Sequence, residues 1–430
     1  MMAANHKTLG GWLESIEAIH SESIELGLER VGLVFKRMFP DGLPYPVITV
    51  AGTNGKGSCC AYIESILQAS GRSAGKYTSP HLIAFNERIV VNGKMVSDDS
   101  IIAAFEKIEI ARQDTILTYF EYTTLAAILV FEDQGVDIGV FEVGLGGRLD
   151  AVNILDPIVS VITSIGIDHV DWLGDDRDVI GREKAAIARP NRPCIVGEVD
   201  VPESIKDYLA EISALPSYIG DDLDIVRHND GWEIRQGNIS VIKDLPLLQN
   251  DIDHQYRNAA CAVLAVINAD ISTHDAAIDV AIVEGLTNSA IAGRCQLLSS
   301  QPLIVLDVAH NEDSILALRE YVQKLSFAGQ CHAVFSMLRD KDLNTCVDLM
   351  FDLVDEWNIA PLDSSRSASV DELNSAIHAV ANSHKKSCHS VNSYTSIQDA
   401  FLRVKNAVKS DDCVIVFGSF HVVGDILSIN

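Results

Sequence analysis

The chain has 430 residues, more than one hydrophobic core usually organises, and its formal net charge of −27 argues against binding to nucleic acid or anionic lipid. Nine cysteines without a Cys-x-x-Cys pair, and an N-terminus without an apolar signal core, favour free thiols in a reducing cytoplasm. No apolar run approaches the roughly 18 residues of a membrane span, so we expect a cytoplasmic protein with two domains.

The predicted elements of the first half alternate between helices and strands. Apolar spacing predicts amphipathic helices at 9–19 and 24–38, before the first strand begins at Val47. Further strands are predicted at 76–77, 137–143 and 158–163, and further helices at 61–67, 101–110, 123–131, 181–187, 258–267 and 275–286. Strands that are apolar on both faces are typical of a parallel sheet covered by helices. Short alternating segments between 222 and 242 predict a small antiparallel excursion.

A second alternating series follows in the last third of the chain. Strands are predicted at 303–307, 333–335 and 414–417, with helical stretches between them. This part contains no phosphate-binding loop of its own, so we expect it to act together with the first part. We place the boundary at a Gly-Arg pair, which gives domains of residues 1–293 and 294–430.

The most informative segment directly follows the first strand. Residues 52–58 read Gly-Thr-Asn-Gly-Lys-Gly-Ser and lead into a predicted helix. Glycines let backbone N–H groups close on phosphate oxygens, the helix N-terminus adds a positive dipole end, and Lys56 adds a charge. The segment departs from the standard Walker pattern, since Val50 replaces the first glycine and Gly57 replaces the hydroxyl residue. It predicts a nucleoside triphosphate site; a plain glycine turn is the alternative.

Several later segments place polar side chains just after predicted strands, where ligands bind in open parallel sheets. These segments are 77–82, 141–150, 166–171 and 307–311. Their hydroxyl, carboxylate and imidazole groups together are suited to a divalent cation beside phosphates. Taken singly, each also fits a structural role, such as a buried strand-end carboxylate. By the same reasoning Lys184 fits a solvated surface charge, and Arg294 fits a structural salt bridge.

In this order the motifs resemble those of the folylpolyglutamate synthase family, among the ATP-dependent amide ligases that also build the peptide of bacterial cell walls. The matching motifs are 52–58, 79–82, 142–150, 168–169, 183–184, 293–294, 307–311, 336–342 and 418–421. The resemblance covers nearly the whole chain and is greatest to the bacterial bifunctional branch, dihydrofolate synthase/folylpolyglutamate synthase. In this family Gly-Thr-Asn-Gly-Lys-Gly-Ser/Thr is the normal phosphate loop, which accounts for the departure from the Walker pattern.

The resemblance implies a fold and a nucleotide site. The implied fold is α/β, with a Mur ligase-like N-terminal P-loop ATPase domain and a smaller C-terminal Rossmann-like domain on the glutamate-binding side. The first domain has a mostly parallel sheet flanked by helices, plus the small antiparallel excursion. The implied ATP-binding residues are Gly52, Thr53, Asn54, Gly55, Lys56, Gly57, Ser58, Asn258, Arg294 and Asp307.

The resemblance also implies two metal sites and a modified lysine. Ser79 and Glu142 would bind one Mg²⁺, and Glu142 would share a second site with His169. Because Mg²⁺ prefers oxygen ligands, the imidazole makes the second site weaker and tolerant of Mn²⁺. Lys184 matches a lysine that the family carries as a carbamate. Carbon dioxide adds only to a neutral amine, so the pocket must lower the pKa of Lys184.

Three segments match the pterin-binding segments of the bifunctional enzymes. They are Glu25, Leu26 and Gly27; Thr118, Tyr119, Phe120 and Glu121; and Leu149, Asp150 and Ala151. The two aromatic rings would stack on a flat ligand and the Asp150 carboxylate would accept a hydrogen bond, although Phe120 suits a helix core equally well. Two departures from the family, Ala292 and Glu312 in place of prolines, change loop rigidity and remove no functional group.

The implied reaction is ATP-dependent ligation of L-glutamate to 7,8-dihydropteroate and to the γ-carboxyl of tetrahydrofolate-type folates through an acyl phosphate. Lys56, Lys184 and His310 form the implied catalytic set, with His310 positioning the second step or receiving a proton. The alternatives are a monofunctional folylpolyglutamate synthase, a cell-wall ligase, and a P-loop NTPase without ligase activity. We expect a monomer that acts on small molecules and has no nucleic-acid or membrane partner.

Overall fold

The computed structural model describes residues 8–19, 25–269, 276–289, 291–385 and 390–429. The chain divides into two units, each with its own sheet and core. Unit 1 comprises Met1–His81, Phe85–Gln249 and Asp253–Ser289, and unit 2 comprises Leu82–Ala84, Asn250–Ile252 and Ala290–Asn430. No helix among the described residues is long and apolar enough to cross a lipid bilayer.

An eight-stranded sheet forms the centre of unit 1. Its strands are β1 (Val47–Ala51), β2 (Ala74–Tyr77), β3 (Ile89–Val91), β4 (Lys94–Met95), β5 (Ile138–Glu142), β6 (Val159–Ile162), β7 (Pro193–Val196) and β8 (Leu215–Tyr218). In space the order is β4-β3-β2-β5-β1-β6-β7-β8, and only the pairings of β3 with β2 and with β4 are antiparallel. The central strands β5, β1 and β6 are buried along their whole length, as expected for a covered parallel sheet.

Ten helices and a small second sheet complete the described part of unit 1. The helices are α1 (Leu9–Ile19), α2 (Glu29–Met38), α3 (Lys56–Ala69), α4 (Asp98–Arg112), α5 (Tyr119–Asp133), α6 (Val170–Leu173), α7 (Arg177–Ala185), α8 (Glu203–Glu211), α9 (Asp253–Asn268) and α10 (Ala276–Asn288). The antiparallel strands are β9 (Asp224–Arg227), β10 (Trp232–Gln236) and β11 (Ile239–Leu245). One core joins α1, α2, α4 and α5 to the sheet, and α3 packs against α9 and α10.

The predicted helix 24–38 was too long at its start. Helix α2 begins at Glu29, and residues 25–28 are not helical. The backbone N–H of Gly27 instead donates to Leu149 O at 3.2 Å, so this stretch is held by a distant part of the chain. Ile24 and Asp275, where two predicted helices start, lie outside the described residues. Helix α9 begins earlier than predicted, at Asp253.

Unit 2 is built on a six-stranded sheet in the order β12-β13-β17-β14-β15-β16, of which only β12 is antiparallel. The strands are β12 (Gln296–Ser300), β13 (Leu303–Leu306), β14 (Cys331–Phe335), β15 (Glu356–Ile359), β16 (Ser390–Ser393) and β17 (Cys413–Phe417). The helices are α11 (Glu312–Lys324), α12 (Leu343–Phe351), α13 (Val370–Ser383), α14 (Ile397–Ala407) and α15 (Phe420–Leu427). Two separate cores, one with α11 to α13 and one with α14 and α15, flank the sheet. The predicted α/β class, with a small antiparallel excursion in the first half, is confirmed.

Candidate active site

The phosphate loop joins β1 to α3 at the carboxyl edge of the sheet. Gly52 and Gly55 have φ of 149° and 85°, a region that favours glycine. A Cβ at Gly52 would lie 2.0 Å from Thr163 Oγ1, and one at Gly55 would lie 2.3 Å from Asn258 Oδ1. Both positions therefore require glycine for conformation and for space. Because α3 begins at Lys56, the first N–H groups of this helix lie in the loop and have no partners within the helix.

A neighbouring segment, of which the sequence analysis selected only Gly166 as a ligand-binding candidate, holds this loop in shape. Thr53 N donates to Ser164 O at 2.8 Å, and Asn54 N donates to Ser164 Oγ at 2.9 Å. Thr163 Oγ1 donates to Asn54 O at 2.6 Å. Thr53 Oγ1 both donates to Gly166 O and accepts from Gly166 N, each at 3.0 Å. The segment 163–166, which follows β6, is therefore the scaffold of the loop. Its Thr-Ser pair after an apolar strand was the available sequence signal.

Two lysines converge on one carbonyl oxygen of the loop. Lys56 Nζ donates to Gly52 O at 3.0 Å and to Thr53 O at 3.2 Å, and Lys184 Nζ donates to the same Gly52 O at 3.0 Å. Lys184 is 4% exposed, so the alternative that it is a solvated surface charge is wrong. Burial, reinforced by the charge of Lys56, lowers the pKa of Lys184 to about 7. A large share of this amine is therefore neutral near pH 7 to 8.

The position after Lys56 faces a buried carboxylate. A Cβ at Gly57 would lie 3.6 Å from Glu142 Oε2, so a side chain there would point at this buried carboxylate. In the standard pattern the same position carries the hydroxyl that binds the metal. Glu142 Oε2 also accepts a hydrogen bond from Ser79 N at 3.0 Å. The structure thus brings Ser79 and Glu142 together beside the phosphate loop.

His169 lies in a cleft beside the loop. The cleft is lined by Gly52, Thr53, Lys56, Gly144, Leu145, Gly146, Asp168, His169, Leu173 and Lys184. His169 is the N-cap residue of α6 and has a left-handed backbone conformation, with a φ of 54°. Its backbone N–H donates to Asp168 Oδ1 at 2.7 Å. Within the described ranges, no three His, Cys, Asp or Glu side chains converge as a metal cluster. The hydroxyl of Ser79 and the carboxylate of Glu142, which lie together beside the phosphate loop, are oxygen donors that suit a hard cation.

The Asp150 carboxylate organises the glycine-rich loop after β5. Its Oδ2 accepts from Gly144 N at 3.0 Å and Leu145 N at 2.9 Å, and its Oδ1 accepts from Val152 N at 2.9 Å. Burial raises the pKa of Asp150 to about 6, against the opposing effect of these N–H groups. Both oxygens of the Asp150 carboxylate already accept hydrogen bonds from backbone N–H groups of the chain. A pterin would therefore compete with these N–H groups for the carboxylate.

We expect Asp150→Asn to lower the free energy of unfolding by about 1–3 kcal/mol, because the amide turns N–H donors toward backbone N–H groups. Urea denaturation at pH 7.5 measures the change. Asp133→Asn is the matched control, since that carboxylate is 44% exposed and pairs only at the surface with Lys107; we expect it to stay within about 0.5 kcal/mol of the parent. Equal stability of the Asp150 variant and the parent would contradict the structural role.

The three predicted pterin segments lie next to one another. Gly27 N donates to Leu149 O at 3.2 Å, which joins the first segment to the third. The Arg30 guanidinium pairs with Glu25 and lies 3.3 Å from Glu121 Oε1, which joins the first to the second. Leu26 is partly buried, and Ala151 is buried at the start of a 3-10 turn. Sequence reasoning missed Arg30, although it lies only three positions after the first segment.

The second segment starts helix α5 with a reciprocal cap. Thr118 Oγ1 accepts from Glu121 N at 3.2 Å, and Glu121 Oε2 accepts from Thr118 N at 2.7 Å. A Ser/Thr-x-x-Glu pattern before an apolar run signals this cap in the sequence. The Phe120 ring lies against the glycine loop, because a Cβ at Gly144 would be 2.6 Å from Phe120 Cζ. The Tyr119 ring stands edge-on to Phe85 at 6.2 Å.

The predicted site residues of unit 2 are Arg294, Asp307 and His310, and they lie near the end of β13. Asp307 Oδ2 accepts from Cys295 N at 2.6 Å and its Oδ1 accepts from Ala309 N at 2.7 Å. Burial raises the pKa of Asp307, and the positive charge of Arg294 opposes this shift. The Arg294 guanidinium lies 5.1 Å above the Phe420 ring.

His310 also lies near the Phe420 ring. Its ring centroid is 6.2 Å from that of Phe420. Nδ1 lies 2.7 Å from Val308 O, and because a carbonyl only accepts, Nδ1 carries the proton and Nε2 is the basic nitrogen. Glu312 stands as the first residue of α11, a position that tolerates an acid as well as the expected proline.

Comparison with known proteins identifies the family of this chain. The Mur ligase middle domain model matches residues 50–213, and the Mur ligase glutamate ligase domain model matches residues 293–420. The dihydrofolate synthase/folylpolyglutamate synthase of Escherichia coli (strain K12) is 38% identical over 424 residues, which cover 98% of this chain and 95% of the relative. The chain belongs to the dihydrofolate synthase/folylpolyglutamate synthase family.

Solved structures of this family match the whole chain. Escherichia coli FolC in complex with DHPP and ADP is 38% identical with a TM-score of 0.89, covering 100% of this chain and 98% of that chain. A bifunctional folylpolyglutamate synthase/dihydrofolate synthase with Mn, AMPPNP and L-glutamate bound is 37% identical with a TM-score of 0.89, covering 100% and 99%. The chain is thus an ATP-dependent ligase that adds glutamate to folate-type acids, and the predicted family, fold and activity are confirmed. A P-loop NTPase without ligase activity is excluded.

Proposed function

We propose that the cleft of unit 1 activates the carboxylate of either dihydropteroate or a reduced folate, and that glutamate then forms the amide. The observation that carries this proposal is the convergence of Lys56, Lys184 and the Glu142 region on one phosphate loop. A carboxylate is a poor acyl donor because its charge repels nucleophiles and oxide is a very poor leaving group. Phosphorylation removes both obstacles.

The chemistry proceeds in two displacements. The carboxylate oxygen of the acid attacks the γ-phosphorus of ATP, and the bond to the ADP oxygen breaks to leave an acyl phosphate. The glutamate amine then attacks the acyl carbon, and the carbon–oxygen bond to phosphate breaks to give amide, phosphate and a proton. Neither step requires a side-chain nucleophile. Lys56 and the first N–H groups of α3 stabilise the negative charge of the phosphoryl group in transfer.

We propose that Ser79 and Glu142 hold a divalent cation, with His169 and Glu142 at a second site. The hydroxyl and carboxylate oxygens fit Mg²⁺, and the imidazole makes the second site tolerant of Mn²⁺. When bound, the ion would neutralise charge on the phosphates. The relative solved with Mn and AMPPNP supports a divalent ion beside a nucleotide in this family.

We also propose that Lys184 carries a carbamate. A neutral amine adds to carbon dioxide, and a proton is released as the anionic carbamate forms. Burial at 4% exposure and a pKa near 7 supply the neutral amine that this addition requires. The product would place anionic oxygens in the cleft that His169 lines.

The remaining predicted residues receive roles in binding. We assign ATP phosphates to Gly52, Thr53, Asn54, Gly55, Lys56, Gly57 and Ser58, and the base or ribose to Asn258, Arg294 and Asp307. Residues 294–430 form the glutamate-binding side, and the Nε2 atom of His310 receives the proton of the second step. Pterin binds at Glu25, Leu26, Gly27, Thr118, Tyr119, Phe120, Glu121, Leu149, Asp150 and Ala151. The adjacency of these three segments supports this assignment.

One assay tests the reaction. Purified protein is given ATP, Mg²⁺ and labelled glutamate with either dihydropteroate or a reduced folate. We expect incorporation with both acids. Incorporation with the reduced folate alone would indicate a monofunctional folylpolyglutamate synthase, and incorporation with neither would contradict the proposal. Omission of the acid is the control for ATP hydrolysis without ligation.

We further propose a monomeric cytoplasmic enzyme with small-molecule partners only. The eight cysteines within the described ranges are buried, and Cys59, Cys60, Cys194, Cys261, Cys295, Cys331 and Cys413 are free thiols, in keeping with a reducing compartment. Gel filtration with light scattering tests the monomer, for which we expect the 46.7 kDa of a single chain.

A further inference from the structure

The side chains of Glu198 and Arg177 hold the backbone N–H and the backbone carbonyl of Ile165, respectively. Glu198 Oε2 accepts from Ile165 N at 2.7 Å, and Arg177 Nε donates to Ile165 O at 3.1 Å. Arg177 also donates to the Asp200 carboxylate at 2.6 Å and to Asp200 O at 3.0 Å. The Glu198 Oε1 atom accepts from Asp200 N at 3.2 Å. Both polar groups of the Ile165 backbone are therefore held by side chains rather than by a sheet.

This unit lies at the centre of the segment that holds the phosphate loop. Ser164 and Gly166, its two chain neighbours, make the hydrogen bonds to Thr53 and Asn54 described above. His169 follows a few residues later. A shift of Ile165 would therefore move the loop and the predicted metal ligand together, since short backbone segments transmit displacement.

The same arginine also places the helix that carries Lys184. Arg177 is the first residue of α7 and Lys184 lies seven positions later, so both project from one face of this helix. Arg177 contacts Ile165 O near one end of this face, and Lys184 contacts Gly52 O near the other. The helix is thus attached at two points to the framework of the nucleotide site.

We propose that Glu198 and Arg177 are positioning residues that set nucleotide affinity by fixing the Ile165 backbone. Neither residue lines the cleft beside the phosphate loop, and no sequence motif selected them. The inference rests on the proposed function, because it takes the cleft of unit 1 as the nucleotide site. Arg177 is 37% exposed and Asp200 is 87% exposed, so their ion pair contributes little to stability. Glu198 is 17% exposed and Ile165 is buried, so loss of the Glu198 contact also lowers stability. A rise in the AMPPNP dissociation constant measured well below the melting temperature is therefore the signature of positioning.

The test compares variants by three measurements on the full chain. These are the dissociation constant of AMPPNP with Mn²⁺ by calorimetry, the KM values for ATP and dihydropteroate, and the melting temperature. Glu198→Ala and Arg177→Ala remove the contacts to Ile165, whereas Glu198→Gln keeps an acceptor oxygen. Arg182→Ala is the matched control, because Arg182 lies on the same helix in an exposed pair with Glu211.

We expect Glu198→Ala and Arg177→Ala to raise the AMPPNP dissociation constant and the KM for ATP about tenfold. The KM for dihydropteroate should change less than about twofold, Glu198→Gln should recover most of the affinity, and Arg182→Ala should match the parent. If the alanine variants do not fold, Arg177→Lys is measured instead and should show the same direction, since one ammonium cannot reach both partners of the guanidinium.

Two results would overturn the inference, and they are distinguishable. Variants that melt at lower temperature but bind AMPPNP with the affinity of the parent would show a purely structural role. A parent protein that binds no AMPPNP would instead overturn the proposed function, and the inference with it.

Discussion

Lys56→Met is expected to lower kcat/KM for ATP by about a thousandfold, as measured by labelled glutamate incorporation with dihydropteroate. The methionine keeps the length of the stem but removes the charge that stabilises the phosphoryl group in transfer. A second effect adds to the first, because the Lys56 charge also helps to keep the pKa of Lys184 low. Its removal therefore shifts Lys184 toward the protonated form that does not bind carbon dioxide.

Lys107→Met is the control for this variant. Lys107 is 48% exposed and pairs at the surface with Asp133, so its loss should leave kcat/KM within about twofold of the parent. Binding of AMPPNP to Lys56→Met by calorimetry separates lost affinity from lost rate. A Lys56→Met enzyme that keeps more than a tenth of the parental kcat/KM would contradict the role of this lysine.

Lys184→Ala is expected to lower kcat by about a hundredfold or more, with partial recovery on addition of a short carboxylic acid such as acetate. The alanine leaves a small buried space beside Gly52, and the added carboxylate replaces the anionic oxygens of the carbamate. Lys184→Arg is the matched control, since it places a permanent positive charge there, forms no carbamate and leaves no space for acetate. Recovery of the alanine variant but not of the arginine variant is the expected result.

The activity of the parent should also depend on carbon dioxide and on pH. The pKa of Lys184 is lowered from 10.5 to about 7, so the neutral amine increases as pH rises through 7. The enzyme is first degassed, and carbon dioxide is then added back to the same dissolved concentration at each pH. The rate of glutamate incorporation should increase from pH 6 to pH 8. The same rate with and without carbon dioxide over this range would exclude the carbamate.

Much of unit 1 was predictable because its signals are local. The strand β1, the glycine loop and helix α3 are contiguous, so the 52–58 segment specifies its own geometry. The apolar runs of β5 and β6 indicated a covered parallel sheet for the same reason. The predicted start of α2 was wrong because the residues before Glu29 make a contact that is distant in the sequence. The backbone N–H of Gly27 donates to Leu149 O.

The site was less predictable where partners are distant in the chain. The resemblance selected Glu142, Lys184 and Asp150, but the sequence did not show what Gly57 faces. In the structure a Cβ at Gly57 would lie 3.6 Å from Glu142 Oε2, an ordinary van der Waals distance. Arg30 and Glu198 were missed altogether, because the sequence does not distinguish a charged side chain in solvent from one that contacts a buried group. The structure shows these contacts, which join Arg30 to Glu121 and Glu198 to the Ile165 backbone.

The sequence by itself determined the glycine-rich loop between β1 and α3, the α/β class and the family, because short motifs and apolar periodicity depend on neighbouring residues. Only the tertiary structure decided the chemical state of the site. Lys184 lies 132 positions from Gly52, and its burial and its distance from Lys56 arise from the packing of α7 against the loop. A pKa depends on all charges and on solvent nearby in space, so the same lysine is a surface cation in the sequence and a near-neutral amine in the fold.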